Sequence, residues 1–261
     1  MKPCTQTGNW LPIKRIRRGG KTAEVLIPFS KMYYNYILFD LDHTLWDFER
    51  NSAETLFELY DVYHLSGFGK FKKEDFINKF QEINRVLWAL YDRNEITREY
   101  LRRERFKLVF NGLNFTNDDI ALNLGDDYLR ICPQKIHVIP NAIEILDYLN
   151  TRYQLVIITN GFEEVQHTKL SFSQLKKYFL EIVTSEEAGH KKPNRGIFEF
   201  AVKKINAKIS ECIMVGDNIE TDIKGAHRVN MDIIFYNPGK ITHNEKVTQK
   251  ISDLLELKAI L

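Results

Sequence analysis

The chain has 261 residues, more than one typical domain and few for three, so one or two domains are expected. Hydrophobic residues at 44% and charged residues at 28%, with 13 Gly and 7 Pro, exclude collagen-like and wholly disordered chains. Lys and Arg number 37 against 35 Asp and Glu, but residues 1–31 hold seven basic groups and one acid; with +6 in that segment and +2 overall, the remainder stands at about −4. The body is mildly acidic, and no nucleic-acid partner is expected.

The N-terminal basic run, Lys14 to Lys21, lies among Gly19, Gly20, Pro3 and Pro12 and reads as a solvated tail. Met32 directly precedes a strand-like run, so residues 1–31 are expected to lie outside the fold. Cys4, Cys132 and Cys212 are odd in number, far apart and without a CxxC pair, which argues against a disulfide framework or a structural zinc site and suits a reducing compartment. No signal peptide or 18-residue apolar span is present, so a cytoplasmic protein without a membrane partner is expected.

Taken in order, Tyr36–Phe39 is a short apolar, β-rich run that ends abruptly at Asp40-Leu-Asp-His-Thr44. From about Asp47 to Lys135 the periodicity is helical only. Leu56, Leu59 and Tyr63 mark one helix, and Phe76, Phe80, Ile83, Leu87 and Leu90 a second. Thr116 with Asp119 suggests the capped start of the last. Strand-like runs then return at Leu155–Ile158, Glu181–Thr184, Cys212–Val215 and Asp232–Phe235. Helix-period segments separate them around Ile143 to Leu149, Ile197 to Ile205 and Ile219 to Ala226. Alternation of this kind predicts an α/β fold: a Rossmann-like parallel sheet covered by helices on both faces, with an all-helical cap inserted after the first strand. The expected divisions are a tail (1–31), a core (32–46 and 136–261) and a cap (47–135).

In open parallel sheets ligands bind beyond the carboxyl ends of the strands. Four polar clusters follow apolar runs here: Asp40-Leu-Asp-His-Thr44, Thr159-Asn-Gly161, Lys192-Pro193 and Gly216-Asp-Asn-Ile-Glu-Thr-Asp222. In that order they resemble the haloacid dehalogenase-like hydrolase superfamily, across residues 33 to about 257. The stretches DLDHTLWDF, SEEAGHKKPNRGIF and VGDNIETDI are similar to the bacterial pyrimidine 5′-nucleotidase branch, whose helical cap follows the first motif. Two positions depart from the pattern. His43 stands where many members have Gly or Asp, and Val229-Asn230 stands where Ala-Gly often follows; Asn tolerates the left-handed conformation of a helix end.

Asp40, Asp42 and Asp217, gathered at strand tips, would repel one another unless a cation sat among them, and an all-oxygen ligand set favours Mg²⁺. A carboxylate can then attack phosphorus, and Asp40 is best placed to do so, forming an aspartyl-phosphate. Asp42 is close enough to protonate the leaving alkoxide and later activate water. Lys192, the Thr159 hydroxyl and amides near Asn160 and Gly161 would hold the phosphoryl oxygens. The resemblance implies the same roles, adds the backbone carbonyl of Asp42 to the metal ligands, and implies a pyrimidine nucleoside 5′-monophosphate as substrate. Asp222 completes the acidic set, holding the metal's waters or Lys192.

The expected activity is therefore an Mg²⁺-dependent phosphomonoesterase acting on a small phosphorylated metabolite. A sugar-phosphate phosphatase or a phosphomutase is the alternative within enzymes. A phosphate-accepting signalling domain shares the acidic cluster but has no cap. His43 is expected to be exposed in its loop, and the remaining histidines show no metal-ligand spacing. Trp46, Phe48, Trp88 and Tyr91 offer faces for a nucleobase, with packing in the core as the stronger expectation.

Overall fold

Because the apolar runs are four to six residues long with few polar residues, the interior ones form strands buried on both faces, while the charged, 3.6-periodic segments wrap around them. A computed structural model describes residues 34–261 in full and, before them, the backbone of residues 14–18 and 21–25. That earlier pair, Lys14–Arg18 (β1) and Lys21–Val25 (β2), is antiparallel. The expectation that residues 1–31 lie outside the fold, and Cys4 with it, otherwise falls outside the described residues.

Tyr36–Phe39 (β3) is followed by four helices, Phe48–Val62 (α1), Lys73–Asp92 (α2), Arg98–Gly112 (α3) and Asp118–Ile131 (α4). Then come Ala142–Leu149 (α5), Gln154–Thr159 (β4), Glu163–Phe172 (α6), Phe179–Thr184 (β5), Ser185–Ala188 (α7) and Arg195–Lys204 (α8). Cys212–Gly216 (β6), Lys224–Arg228 (α9), Asp232–Tyr236 (β7), Gln249–Ile251 (β8) and Leu257–Ile260 (α10) complete the chain. The large sheet is six-stranded and parallel in the order β5-β4-β3-β6-β7-β8, so β3 lies in the interior and all strand carboxyl ends share one edge.

Alternation along the strands divides the core into two layers. Ile37, Phe39, Ile157 and Val215 pack with Ile145 and Leu149 of α5 and Leu170 of α6, while Leu38, Ile158 and Met214 pack with Ile197 and Phe198 of α8 and Ala226 of α9. The first layer continues through Leu41, Leu45 and Trp46 into the cap interior of Leu56, Phe76, Phe80, Phe106 and Phe110. Cap and core thus share buried surface as well as two chain crossings.

Those crossings lie side by side: the Ile139 amide donates to the Leu45 carbonyl (2.9 Å) and the Asp47 amide to the His137 carbonyl (3.2 Å). Asn51 fastens them, its Nδ2 donating to the His137 carbonyl and its Oδ1 accepting from the His137 amide.

Three details differ from the sequence expectation. The cap on α4 is Asn117, whose Oδ1 accepts from the Ile120 amide, one residue beyond Thr116. Helix α3, which begins REYLRRERF, shows no clean apolar period because its buried face includes Arg105 beside Leu101, Phe106 and Val109. Edge strand β8 is three residues long and mostly polar, too short for a period. Asn230 does close α9's turn at φ 55°. Among the described residues no helix is long and apolar enough to cross a membrane.

Candidate active site

Each of the four polar clusters sits at the carboxyl edge of the sheet, where the strand ends and its backbone turns away. Asp40 follows β3, its amide still bonded to the Val215 carbonyl. Thr159 closes β4, Asp217 follows β6, and Lys192 reaches in from the loop before α8. Lys192 is buried, and its Nζ lies 2.6 Å from Asp40 Oδ1 and 2.7 Å from Asp222 Oδ1. Gly216 makes the second contact feasible, because a Cβ there would stand 2.3 Å from Asp222 Oδ2. Asn160 fixes the Lys192 backbone: its Oδ1 accepts from the Lys192 amide and its Nδ2 donates to the Lys192 carbonyl and to Asp92 Oδ1 of the cap.

Carboxylate oxygens of Asp40, Asp217 and Asp222 lie within 4.8 Å of one another. Lys192 is the one cation paired with this trio among the described residues, and it pairs with Asp40 and Asp222; Asp217 accepts instead from the Thr44 hydroxyl at 3.0 Å. Three carboxylates against one ammonium leave two negative charges in excess. Burial drives the Asp40 carboxyl well above the ordinary carboxylate range; Lys192 opposes this, and Asp222 and Asp217 reinforce it. Asp217 is raised by burial and by Asp222. Burial works against the Lys192 ammonium, but Asp222 and Asp40 hold it above its ordinary value. A small divalent cation with oxygen ligands would neutralise the excess, so these residues fit Mg²⁺ by charge and by donor type.

The Asp42 carboxylate is not part of that trio. It faces Lys169 on α6, at 2.6 and 2.9 Å, and accepts from Gln166 Nε2 at 2.8 Å. Burial pushes its pKa up, but the Lys169 charge and hydrogen bonds outweigh burial and hold the group below its ordinary value. Gln166 Nε2 also donates to Thr159 Oγ1 (2.7 Å), which accepts from the Gly161 amide as well (3.1 Å). With both bonds accepted, the Thr159 hydroxyl proton is left to point outward. Gly161 is required where it is, since a Cβ would come within 2.1 Å of Gln166 Nε2.

Sequence reasoning missed Gln166 and Lys169. Their signal is faint: two polar residues at i and i+3 on a helix of low amphipathicity, both turned inward.

Above these residues lies a cavity of about 460 Å³, within the size range of small-molecule sites. Core residues Asp40, Asp42, Thr159, Lys192 and Asp217 line one end and cap residues Asn84, Trp88, Arg105 and Tyr128 the other. Of the four aromatics, Phe48 and Trp88 face the cavity. Trp46 is fully buried with Lys169 Nζ 4.5 Å from its ring, and Tyr91 is buried against Phe162 and Lys191, so both serve packing. His43 is exposed at φ 65°, its ring 5.1 Å from that of Phe48. Arg98 of α3 bridges Glu186 and Glu164 of the core and sits over the Phe162 ring, tying the cap down over the site.

Residues 34–230 match the family model described as haloacid dehalogenase-like hydrolase. The chain belongs to this family of hydrolases. It is 30% identical over 234 residues to the pyrimidine 5′-nucleotidase YjjG of Escherichia coli K12, covering 88% of this chain and 99% of that one. It is also 30% identical over 220 residues to the pyrimidine 5′-nucleotidase PynA of Streptococcus pneumoniae, covering 84% and 89%. Among solved structures, the HAD-hydrolase YfnB of Bacillus subtilis bound to magnesium superimposes with a TM-score of 0.78 at 26% identity, over 87% of this chain and 98% of that one.

Proposed function

We propose that this hydrolase is a phosphomonoesterase that uses Mg²⁺ and acts on pyrimidine nucleoside 5′-monophosphates. One observation carries the reaction class: a carboxylate trio, two of whose members share a single buried lysine, stands beside a separately held carboxylate, Asp42, at the floor of a cavity. Relatives named as pyrimidine 5′-nucleotidases support the substrate. Residues 47–135 would form the cap, and residues 32–46 with 136–261 the core. A cytoplasmic setting is supported by the free, buried thiols of Cys132 and Cys212.

Asp40, Asp217 and Asp222, with the Asp42 backbone carbonyl, would hold the metal. When bound, Mg²⁺ neutralises the phosphoryl oxygens and so lets an anionic nucleophile approach. Lys192 engages Oδ1 of Asp40 and leaves the other oxygen for attack. That oxygen bonds to phosphorus as the ester P–O bond breaks, and Asp42, which must first take up a proton against the pull of Lys169, delivers it to the departing alkoxide. In the second half, Asp42 takes a proton from water as the water oxygen attacks the aspartyl-phosphate; inorganic phosphate and free Asp40 result. Lys169 and Gln166 set Asp42 in the ionised form that this second half uses. The outward Thr159 proton and the Lys192 ammonium would hold the phosphoryl oxygens, while the Asn160 side chain positions Lys192 and the Gly161 amide orients Thr159.

The test is phosphate release from a panel of nucleoside 5′-monophosphates and hexose phosphates, with Mg²⁺ and after chelation. Release from a pyrimidine monophosphate, lost on chelation and restored by Mg²⁺, is expected. Preference for a hexose phosphate would replace the substrate, and full activity of verified metal-free protein would overturn the metal requirement.

A further inference from the structure

The cap end of the cavity contains a buried cation with no acid beside it. Arg105 of α3 is 3% exposed, and one of its amino groups donates to Asn84 Oδ1 of α2 at 3.1 Å. Its Nε and other amino nitrogen, both closed off from solvent, have no acceptor among the described residues. Among the described residues no carboxylate pairs with it; the rings of Phe80, Phe106 and Tyr128 surround its guanidinium carbon at 5.4, 5.6 and 4.9 Å. Ring faces offset part of the charge but accept no in-plane N–H bond. Folded proteins rarely leave buried donors unpaired, and an unpaired buried guanidinium is costly enough to call for a partner.

Both Arg105 and Asn84 line the cavity that Asp40 and Lys192 close at its other end. Asn84 has spent its Oδ1 on Arg105, so what it offers a ligand is its N–H₂ group. This end of the cavity is therefore a set of donors in an aromatic surround. A matching leaving group presents acceptor oxygens on a flat, apolar body.

We propose that Arg105, positioned by Asn84, binds acceptor oxygens on the leaving group at the end remote from phosphorus, and that these are the ring carbonyls of a pyrimidine base. This rests on the nucleotidase reading. Cytosine and uracil share the O2 carbonyl, whereas adenine offers only ring nitrogens as acceptors, so a guanidinium beside an amide N–H₂ group favours the pyrimidines over adenine. A second acid group on a sugar bisphosphate would offer the same acceptor chemistry.

The experiment measures kcat/KM for UMP, AMP, a sugar bisphosphate and phenyl phosphate, whose leaving group lacks an acceptor beyond the ester oxygen. The proteins are wild type, Arg105→Met, Arg105→Lys and Asn84→Asp. Arg105→Met is expected to lower the UMP-to-phenyl-phosphate ratio about 10- to 100-fold, with part regained in Arg105→Lys. Asn84→Asp gives the guanidinium an acid partner, so it should raise the unfolding temperature while lowering the same ratio; it keeps the test decisive if Arg105→Met does not fold. The UMP-to-AMP ratio should fall in parallel. A bisphosphate that is the best wild-type substrate, and that loses most in the variants, upholds the role of Arg105 but overturns the base and the nucleotide reading. Ratios within twofold of wild type in folded Arg105→Met or Asn84→Asp, with UMP hydrolysed normally, would overturn the role of Arg105 and leave the nucleotide reading standing.

Discussion

The two ends of the cavity are built on opposite principles. At the core end, every charged group has a partner at hydrogen-bond distance: Lys192 with Asp40 and Asp222, Lys169 with Asp42, Thr44 with Asp217. At the cap end, a guanidinium stands among rings with two of its nitrogens unpaired. The core end is preorganised for one kind of group, since its donors and acids stand on rigid strand tips. The cap end remains unsatisfied until something enters. Reaction type is thus set where each group is already held by a hydrogen-bond partner, and selectivity where two donors are not.

Breaking the core end should have the largest effect. Asp40→Asn removes the nucleophile but keeps the shape of the side chain, so turnover should fall by about 10⁴ or more with the fold intact. Steady-state phosphate release measures this, and activity within tenfold of wild type would discard the covalent route.

Next comes Lys169→Met, which leaves Asp42 with Gln166 alone. Here kcat should drop about 10- to 100-fold with little change in KM, and Lys169→Arg should recover part of it. A rise in KM at constant kcat would instead place Lys169 in substrate binding.

A smaller effect is expected at the cap wall. Replacing Trp88 or Phe48 by Leu removes a face on which a base could stack, worth about 1–3 kcal/mol, so the kcat/KM preference for UMP over hexose phosphate should narrow by about 5- to 150-fold. Leu in place of the buried Trp46 or Tyr91 should chiefly lower the unfolding temperature. Equal selectivity in all four variants would remove stacking from the account.

The smallest effect concerns the joint between the two regions. Hydrogen bonds from Lys135 and His137 hold the Glu54 carboxyl below its ordinary value. The stabilisation is therefore present above the ordinary glutamate range and is lost as pH falls through and below it. With a side chain 41% exposed, Glu54 should matter little: Glu54→Gln should lower the unfolding temperature by a few degrees at most at pH 7, and the difference should vanish near pH 3. A difference that grew on acidification would contradict this assignment.

Much of this protein could be read without coordinates, and the reason is the same throughout: the features concerned are local. A strand of four apolar residues followed by two acids separated by one residue declares itself in the text, because buried acids need a purpose; Tyr36–Phe39 with Asp40 and Asp42 is the clearest case. The order of Thr159, Lys192 and Asp217 follows from strand-tip geometry in a parallel sheet, and the roughly ninety residues of helical period stand out against the strands on either side. What the tertiary structure alone decided is partnership. Whether Asp42 joins the trio or faces Lys169 depends on an α6 side chain 127 positions away in sequence. Arg105 reads as one more charge in a charge-rich helix until the packing of α2, α3 and α4 buries it without an acid. Likewise Trp46 and Tyr91 are separated from Phe48 and Trp88 only by which of them the cap–core interface covers. Pairings across more than a hundred residues leave no period or spacing in the chain, because they arise from folding itself.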